Sequence, residues 1–275
     1  MAGTVAVVAM SRRVIILRAA GINCDEETAY AWELAGAKVD RVHIQRVIDS
    51  PSILDPYDAM TIPGGFSYGD DVAAGKIFAN QLIHHLGDAL RRFVESGRPI
   101  LGICNGFQIL VRAGLLPAIH GEQRQSVTLT NNDSGRFETR WVHLRTYTDR
   151  CIFLPPDTRL ALPIAHGEGK LVPADEATLA ALKSGGYVAL RYCDEAGNPG
   201  PFPINPNGSV DDIAGLTDRT GLILGLMPHP ERHVQPTQHP AWTAARVRAG
   251  CDPDRSREPD GRILFEAAVR YLRSR

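Results

Sequence analysis

Ile100-Leu101-Gly102-Ile103-Cys104-Asn105-Gly106 joins a four-residue apolar run to a cysteine set between glycines, and Phe107-Gln108-Ile109-Leu110 continues it. The run has the unbroken apolar character of a strand buried on both faces of a parallel sheet. Ser96-Gly97-Arg98-Pro99 in front of it supplies the stop for a preceding helix. Gly-x-Cys-x-Gly between a strand and a helix is the thiol form of the sharp turn that lifts a nucleophile above a sheet edge. The glycines remove side chains that such a turn would crowd, and the next helix aims its N-terminus at the sulfur. This placement favours thiolate and offers backbone N–H groups to an oxyanion, that of Asn105 first. A lone cysteine after an apolar strand is more often an inert core thiol, so the reading depends on finding its partners.

Working outward, apolar runs alternate with helix-length stretches through the first half, the pattern of a parallel α/β sheet. Residues 14–17, 39–44, 59–62 and 100–103 read as strands, and residues 26–34 and 76–94 as helices, with Gly36 a stop signal. The second half is richer in Gly, Pro and β-patterned segments. Strands are expected at 126–129, 139–146, 163–171, 187–192, 213–216 and 223–227, with a short helix at 241–247 and a final one at 262–272. Residues 1–12 read as an N-terminal extension and 13–275 as a single domain. The Arg-, Asp- and Pro-rich stretch at about 234–260 reads as a surface insertion, expected to be a disordered loop.

The last strong strand points at Pro228-His229-Pro230-Glu231. A thiol that attacks an amide needs a base, and the base needs orienting. Residues two apart in extended chain face the same side, so the carboxylate can hold the imidazole, and the prolines restrict the loop. Pro63-Gly64-Gly65-Phe66-Ser67-Tyr68-Gly69-Asp70 follows another strand, and its glycines let backbone N–H groups approach a ligand. It lacks the spacing of a nucleotide-binding P-loop. His166-Gly167-Glu168-Gly169-Lys170 and Asn205-Pro206-Asn207-Gly208-Ser209 read as turns. His43, His120, His143, His233 and His239 show no usable partner spacing.

Composition bounds the function. A net charge of −1 over 275 residues gives no field to steer nucleic acid or an anionic membrane. No apolar run approaches the roughly 18 residues of a membrane span. Cysteines 24, 104, 151, 193 and 251 show neither CxxC pairing nor metal-ligand spacing, which fits reduced thiols in a cytoplasmic protein.

Taken together, these segments resemble class I glutamine amidotransferases. More narrowly, the chain is similar to the glutaminase-subunit family of phosphoribosylformylglycinamidine synthase. The narrower marks are Gly21-Ile22-Asn23-Cys24-Asp25-Glu26-Glu27-Thr28, the segment from Pro63 to Asp71, Ile164 to Gly169, Arg191 to Asp194, Asn205 to Ser209, and Met227 to Arg232. The resemblance implies a flavodoxin-like α/β fold, with a central mostly parallel sheet flanked by helices and a smaller β-rich insertion. It implies a triad of Cys104, His229 and Glu231, and an oxyanion hole from the backbone N–H groups of Gly65 and Asn105. Glutamine would be contacted by Gly64, Gly65, Phe66, Gln108 and His166. The reaction would hydrolyse glutamine to glutamate through a Cys104 thioester, with no cofactor or metal on this chain. Ammonia would pass to a synthetase subunit carrying ATP and magnesium, with a small bridging subunit between the two. A stand-alone cysteine hydrolase on the same fold would not require His-Pro-Glu, and a non-catalytic subunit would not require all three triad candidates.

Overall fold

The computed structural model describes residues 11–119, 124–248 and 259–275, so His120, Cys251 and most of the expected N-terminal extension lie outside the described residues. The chain opens with β1 (Arg13–Arg18), whose residues Val14 to Leu17 are fully buried, then α1 (Asp25–Leu34) and β2 (Lys38–His43). Gly36, at a left-handed φ of +89°, closes the helix as expected. Ile44, expected at the end of the strand, instead begins a short α2 (Ile44–Asp49), where His43 Nδ1 accepts the N–H of Gln45.

β3 (Ala59–Ile62) is followed by α3 (Lys76–Gln81), a π-helical turn (Leu82–Leu86) and α4 (Gly87–Glu95). The single helix expected over 76–94 is therefore interrupted. The wide turn seats both Leu82 and Leu86 in the core and leaves Ile83, His84 and His85 outward. β4 (Ile100–Ile103) then runs into α5 (Asn105–Arg112).

The second half contributes β5 (Val127–Thr130), β6 (Glu138–Thr146), β7 (Arg159–His166), β8 (Lys170–Pro173), α6 (Glu176–Ser184), β9 (Val188–Cys193), β10 (Ile213–Thr217) and β11 (Ile223–Leu226). The expected strand over 163–171 divides into β7 and β8, which lie in different sheets. A Cβ on Gly169 would sit 2.2 Å from His166 Cε1, so the chain doubles back there more tightly than any other residue allows. α6 was not foreseen, although Asp175 caps it by accepting the N–H of Thr178 at 2.7 Å. Within the expected disordered insertion, α7 (Trp242–Arg248) is helical, and the His239 ring packs on Trp141 at 4.5 Å. This is the short helix expected at 241–247; residues 249–258 lie outside the described residues. α8 (Arg262–Arg273) ends the chain.

Nine strands form one sheet in the order β2-β1-β3-β4-β11-β10-β9-β6-β7. The first five are parallel neighbours and the rest pair antiparallel, so most of the β-rich half extends the main sheet. β5 and β8 pair as a separate ribbon. From β1 the chain crosses toward one sheet edge and from β3 toward the other, so right-handed crossovers place α1 and α3–α4 on opposite faces. α8 joins α1, where Trp32 meets Phe265 edge-on at 5.3 Å and donates its indole N–H to Thr61 Oγ1. The strand order reverses between β1 and β3, and in such sheets a crevice opens at the carboxyl ends of the strands. Among the described residues no helix is long and apolar enough to cross a membrane.

Candidate active site

Cys104 stands at the tip of β4 with φ +50° and ψ −104°, a conformation that costs a non-glycine residue on the order of 1–3 kcal/mol. The neighbours hold it there: its N–H donates to Leu226 O at 2.8 Å. A Cβ on Gly106 would lie 1.9 Å from Ile62 O, and one on Gly102 2.4 Å from Leu110 Cδ1. Glycine on both sides of the cysteine is thus a packing requirement of the turn. The thiol is 6% exposed and points toward Ala165 O at 3.8 Å.

β11 lies beside β4 in parallel register, Leu226 opposite Ile103, so both strands end at the same edge. Three residues on, His229 N–H donates to Pro163 O of β7 at 2.8 Å. β7 is last in the sheet order, so this bond requires the antiparallel half to curl back over the parallel strands. The His229 ring and the Glu231 carboxylate are buried, with Nδ1 and Oε1 2.6 Å apart. Burial disfavours the imidazolium, but the Glu231 carboxylate and the thiols of Cys104 and Cys24 outweigh it. His229 therefore holds its proton well above the usual histidine range.

The loop after β3 faces this pair. A Cβ on Gly64 would come within 2.8 Å of His229 Cε1 and 3.1 Å of Cys24 Sγ. Gly65 has φ +147° and bridges Ile22, with Phe66 N–H donating to Gly21 O and Cys24 N–H to Gly64 O. Among the described residues this pattern leaves the Gly65 N–H without an acceptor, and the Asn105 N–H opening α5 is likewise without one. The Asn105 side chain is committed elsewhere: Oδ1 accepts the N–H of Ser67, and Nδ2 donates to Gln108 Oε1. Gln108 Nε2 in turn donates to Glu168 O at 2.6 Å.

His166 ends β7, 3% exposed. Asn132 Nδ2 donates to Arg136 O and His166 O, so its Oδ1 is the acceptor that faces His166 Nδ1 at 3.1 Å. Nδ1 therefore carries the proton, and the buried Nε2 is a bare acceptor without a hydrogen-bond partner among the described residues. Burial first, then the charge of His229, pushes His166 down to about 4. The two turn motifs meet here: Asn207 Nδ2 donates to Gly169 O, and Ser209 Oγ accepts the N–H of Leu171.

These groups enclose a cavity of about 380 Å³. Of the residues expected at the site, Gly65, Phe66, Cys104, Gln108, His166 and His229 line it, while Gly64, Asn105 and Glu231 stand behind the wall. Phe66 and Phe137, both about half exposed, are 6.4 Å apart across its rim. The cavity also takes in Asn23, Cys24, Asp70 and Arg232, to which no role had been given. Cys24 and Arg232 belong to the Gly21–Thr28 and Met227–Arg232 segments, but only the fold shows that Cys24 lies beside the His229–Glu231 pair and that Arg232 reaches Cys24 Sγ. Phe137 carries no signal in the sequence.

Residues 11–272 match the family model of the CobB/CobQ-like glutamine amidotransferase domain. The phosphoribosylformylglycinamidine synthase subunit PurQ of Dehalococcoides mccartyi is 45% identical over 263 residues, covering 95% of this chain and 98% of that protein. The protein of the same name from Thermus thermophilus is 42% identical, covering 81% and 90%. Among solved structures, PurLQS from Thermotoga maritima superposes with a TM-score of 0.71 at 30% identity, covering 96% of this chain and all of that one. The chain belongs to the glutamine amidotransferase family, in the branch of the PurQ subunits of phosphoribosylformylglycinamidine synthase.

Proposed function

We propose that this chain is the glutaminase subunit of phosphoribosylformylglycinamidine synthase, with Cys104 the nucleophile, His229 its proton carrier and Glu231 the carboxylate that holds the ring. The observation that carries the reading is a strained thiol sharing one cavity with a buried His229–Glu231 pair. Glutamine's side-chain amide enters beside Cys104, and sulfur bonds to Cδ as the amide oxygen takes negative charge. The N–H groups of Gly65 and Asn105 receive that oxyanion; one such donor is worth on the order of 10²–10³ in rate. The imidazolium gives its proton to the departing nitrogen, so ammonia leaves and a glutamyl thioester remains. His229 then takes a proton from water, which attacks the thioester and releases glutamate. Gly64 and Phe66 shape the approach, Gln108 fixes the Glu168 carbonyl beside the cavity, and the bare Nε2 of His166 accepts an N–H of bound glutamine.

The reaction uses side chains and backbone of this chain alone. ATP and magnesium belong on the synthetase subunit, which takes the ammonia to convert formylglycinamide ribonucleotide to formylglycinamidine ribonucleotide in the cytoplasm, a small third subunit bridging the two. We assign residues 13–275 to one amidotransferase domain preceded by a 1–12 extension, with the insertion near 234–260 on its surface. The test is site-resolved mass spectrometry after exposure to a glutamine-like diazo-ketone. Labelling confined to Cys104 and blocked by excess glutamine is expected; labelling spread over the cysteines, or absent with the synthetase also present, would favour a non-catalytic subunit.

A further inference from the structure

Glutamine hydrolysis as proposed assigns nothing to Cys24 or Arg232, yet both line the cavity. Cys24 Sγ, a His229 nitrogen and a Glu231 oxygen, from three buried residues, lie within 4.8 Å of one another. The same sulfur accepts a hydrogen bond from Arg232 Nη2 at 3.1 Å, and Arg232 Nε donates to Glu27 Oε1 of α1 at 3.1 Å. Cys24 is itself fixed: its N–H donates to Gly64 O, and its thiol donates to Asn23 Oδ1 at 3.3 Å. A Cβ on Gly64 would meet His229 Cε1 at 2.8 Å and the sulfur at 3.1 Å, so ring and thiol pack over the same loop backbone.

The charges explain why the sulfur matters. Glu231 commits Oε1 to His229 Nδ1, while its Oε2 is fully buried with no hydrogen-bond partner among the described residues. A buried carboxylate oxygen left unpaired is costly, and a guanidinium is the donor best shaped to pair it. Arg232 is the next residue, half-buried and close enough to feel the Glu231 charge, yet its ion pair is with Glu27. Were it to pair with Glu231, the carboxylate would be shared and the imidazolium would lose part of its support.

We propose that Cys24 is a positioning residue: its sulfur holds the Arg232 guanidinium away from Glu231, so that the carboxylate serves His229 alone. A thiol suits this task, being a small apolar group with a weakly accepting sulfur. Burial pushes the Cys24 thiol up, so it brings no second negative charge beside Glu231. The groups that face the His229 ring are Glu231 and, beyond Cys24, Arg232 from its own loop, Cys24 from the loop after β1, Cys104 from the tip of β4 and His166 from the end of β7. The loop after β3 presents the backbone of Gly64. Of these groups, Arg232 is the fixed cation whose distance from Glu231 a substitution at position 24 can change. The consequence for catalysis rests on the glutaminase reading, in which the imidazolium protonates the departing nitrogen; the charge arrangement does not.

The full-length chain is labelled with nitrogen-15 histidine, and the His229 ring, identified by its loss in His229→Gln, is titrated by NMR. Cys24→Ala should lower the pH at which His229 gives up its proton by about one unit or more, the size of effect a neighbouring charge produces. Arg232→Gln should raise that pH, and by more in the Cys24→Ala background than in the parent, the non-additivity that marks a coupled pair. With the synthetase present, the alkaline limb of kcat/KM for glutamine should move with the ring through the same variants. An unshifted ring in Cys24→Ala overturns the role. So does an equal rise on Arg232→Gln in both backgrounds, since Cys24 would then act through its own contact with the imidazole. Should Cys24→Ala fail to fold, judged by circular dichroism, Cys24→Ser replaces it: a smaller fall with the same non-additivity supports the role, and a fall independent of Arg232, or none, overturns it. A ring that titrates as expected in a chain that hydrolyses no glutamine sinks the glutaminase reading and leaves the role of Cys24 standing.

Discussion

At the scale of single residues, the candidate site turns on two histidines in opposite protonation states. His229 is held charged by Glu231 and the thiols, and Glu231→Gln removes the carboxylate while preserving the shape around Oε1. On the precedent of carboxylate-oriented imidazoles, kcat for glutamine should fall by on the order of 10³–10⁴-fold with Cys104 still in place. A loss under tenfold would remove Glu231 from the mechanism. His166 is the converse, held at about 4 by burial, with the charge of His229 adding to it. The unfolded chain binds that proton near 6.5 and the folded chain does not, so the associated stability is present above 6.5 and lost as pH falls toward 4. At roughly 1.4 kcal/mol per unit the loss approaches about 3 kcal/mol. His229 does not enter this window: its raised value gives stability that is complete below 6.5 and lost only at higher pH. Urea unfolding at pH 7 and 4.5 should therefore show a smaller acid loss in His166→Gln than in the parent, and equal losses would contradict the assignment.

At the scale of elements, strand ends and turn glycines do the placing. β4 and β11 bring Cys104 and His229 to one edge because they are adjacent and parallel, although 125 positions separate the two residues in the sequence. The loop after β3 is held down on the loop after β1 by the Gly21–Phe66 and Gly64–Cys24 backbone bonds. Gly64→Ala would drive a methyl group to 2.8 Å from His229 Cε1, so the imidazole must give way. We expect kcat to fall at least tenfold while the thermal midpoint moves little, since the clash lies in a loop and outside the strands. An unchanged kcat would show that the ring has freedom the packing denies it. The π-turn between α3 and α4 and the reversal at Gly169 were not readable from periodicity. Each depends on which side chains reach the core or cannot coexist, as Leu82 and Leu86 do in the first case, and a Gly169 Cβ and the His166 ring in the second.

At the scale of the whole molecule, the reacting groups lie under a mouth bordered by two half-exposed aromatics, Phe66 and Phe137. Glutamine hydrolysis uncoupled from synthesis wastes substrate, so turnover by the isolated chain should be low and should rise with a loaded synthetase. Equal turnover with and without it would argue against coupling. The sequence alone settled the parallel α/β half, the turn at Cys104 and the pairing of His229 with Glu231, because each is local: an apolar run, two glycines beside a thiol, an i to i+2 spacing. Tertiary structure alone decided that the second half extends the same sheet and curls until Pro163 meets His229. It also decided that Asn132, Asn207 and Ser209 brace the His166 turn, that Cys24 stands beside the imidazole, and that Arg232 reaches Cys24. The physical reason is that these contacts join residues far apart in the sequence, whose meeting depends on strand order and sheet curvature and leaves no period or spacing in the chain itself.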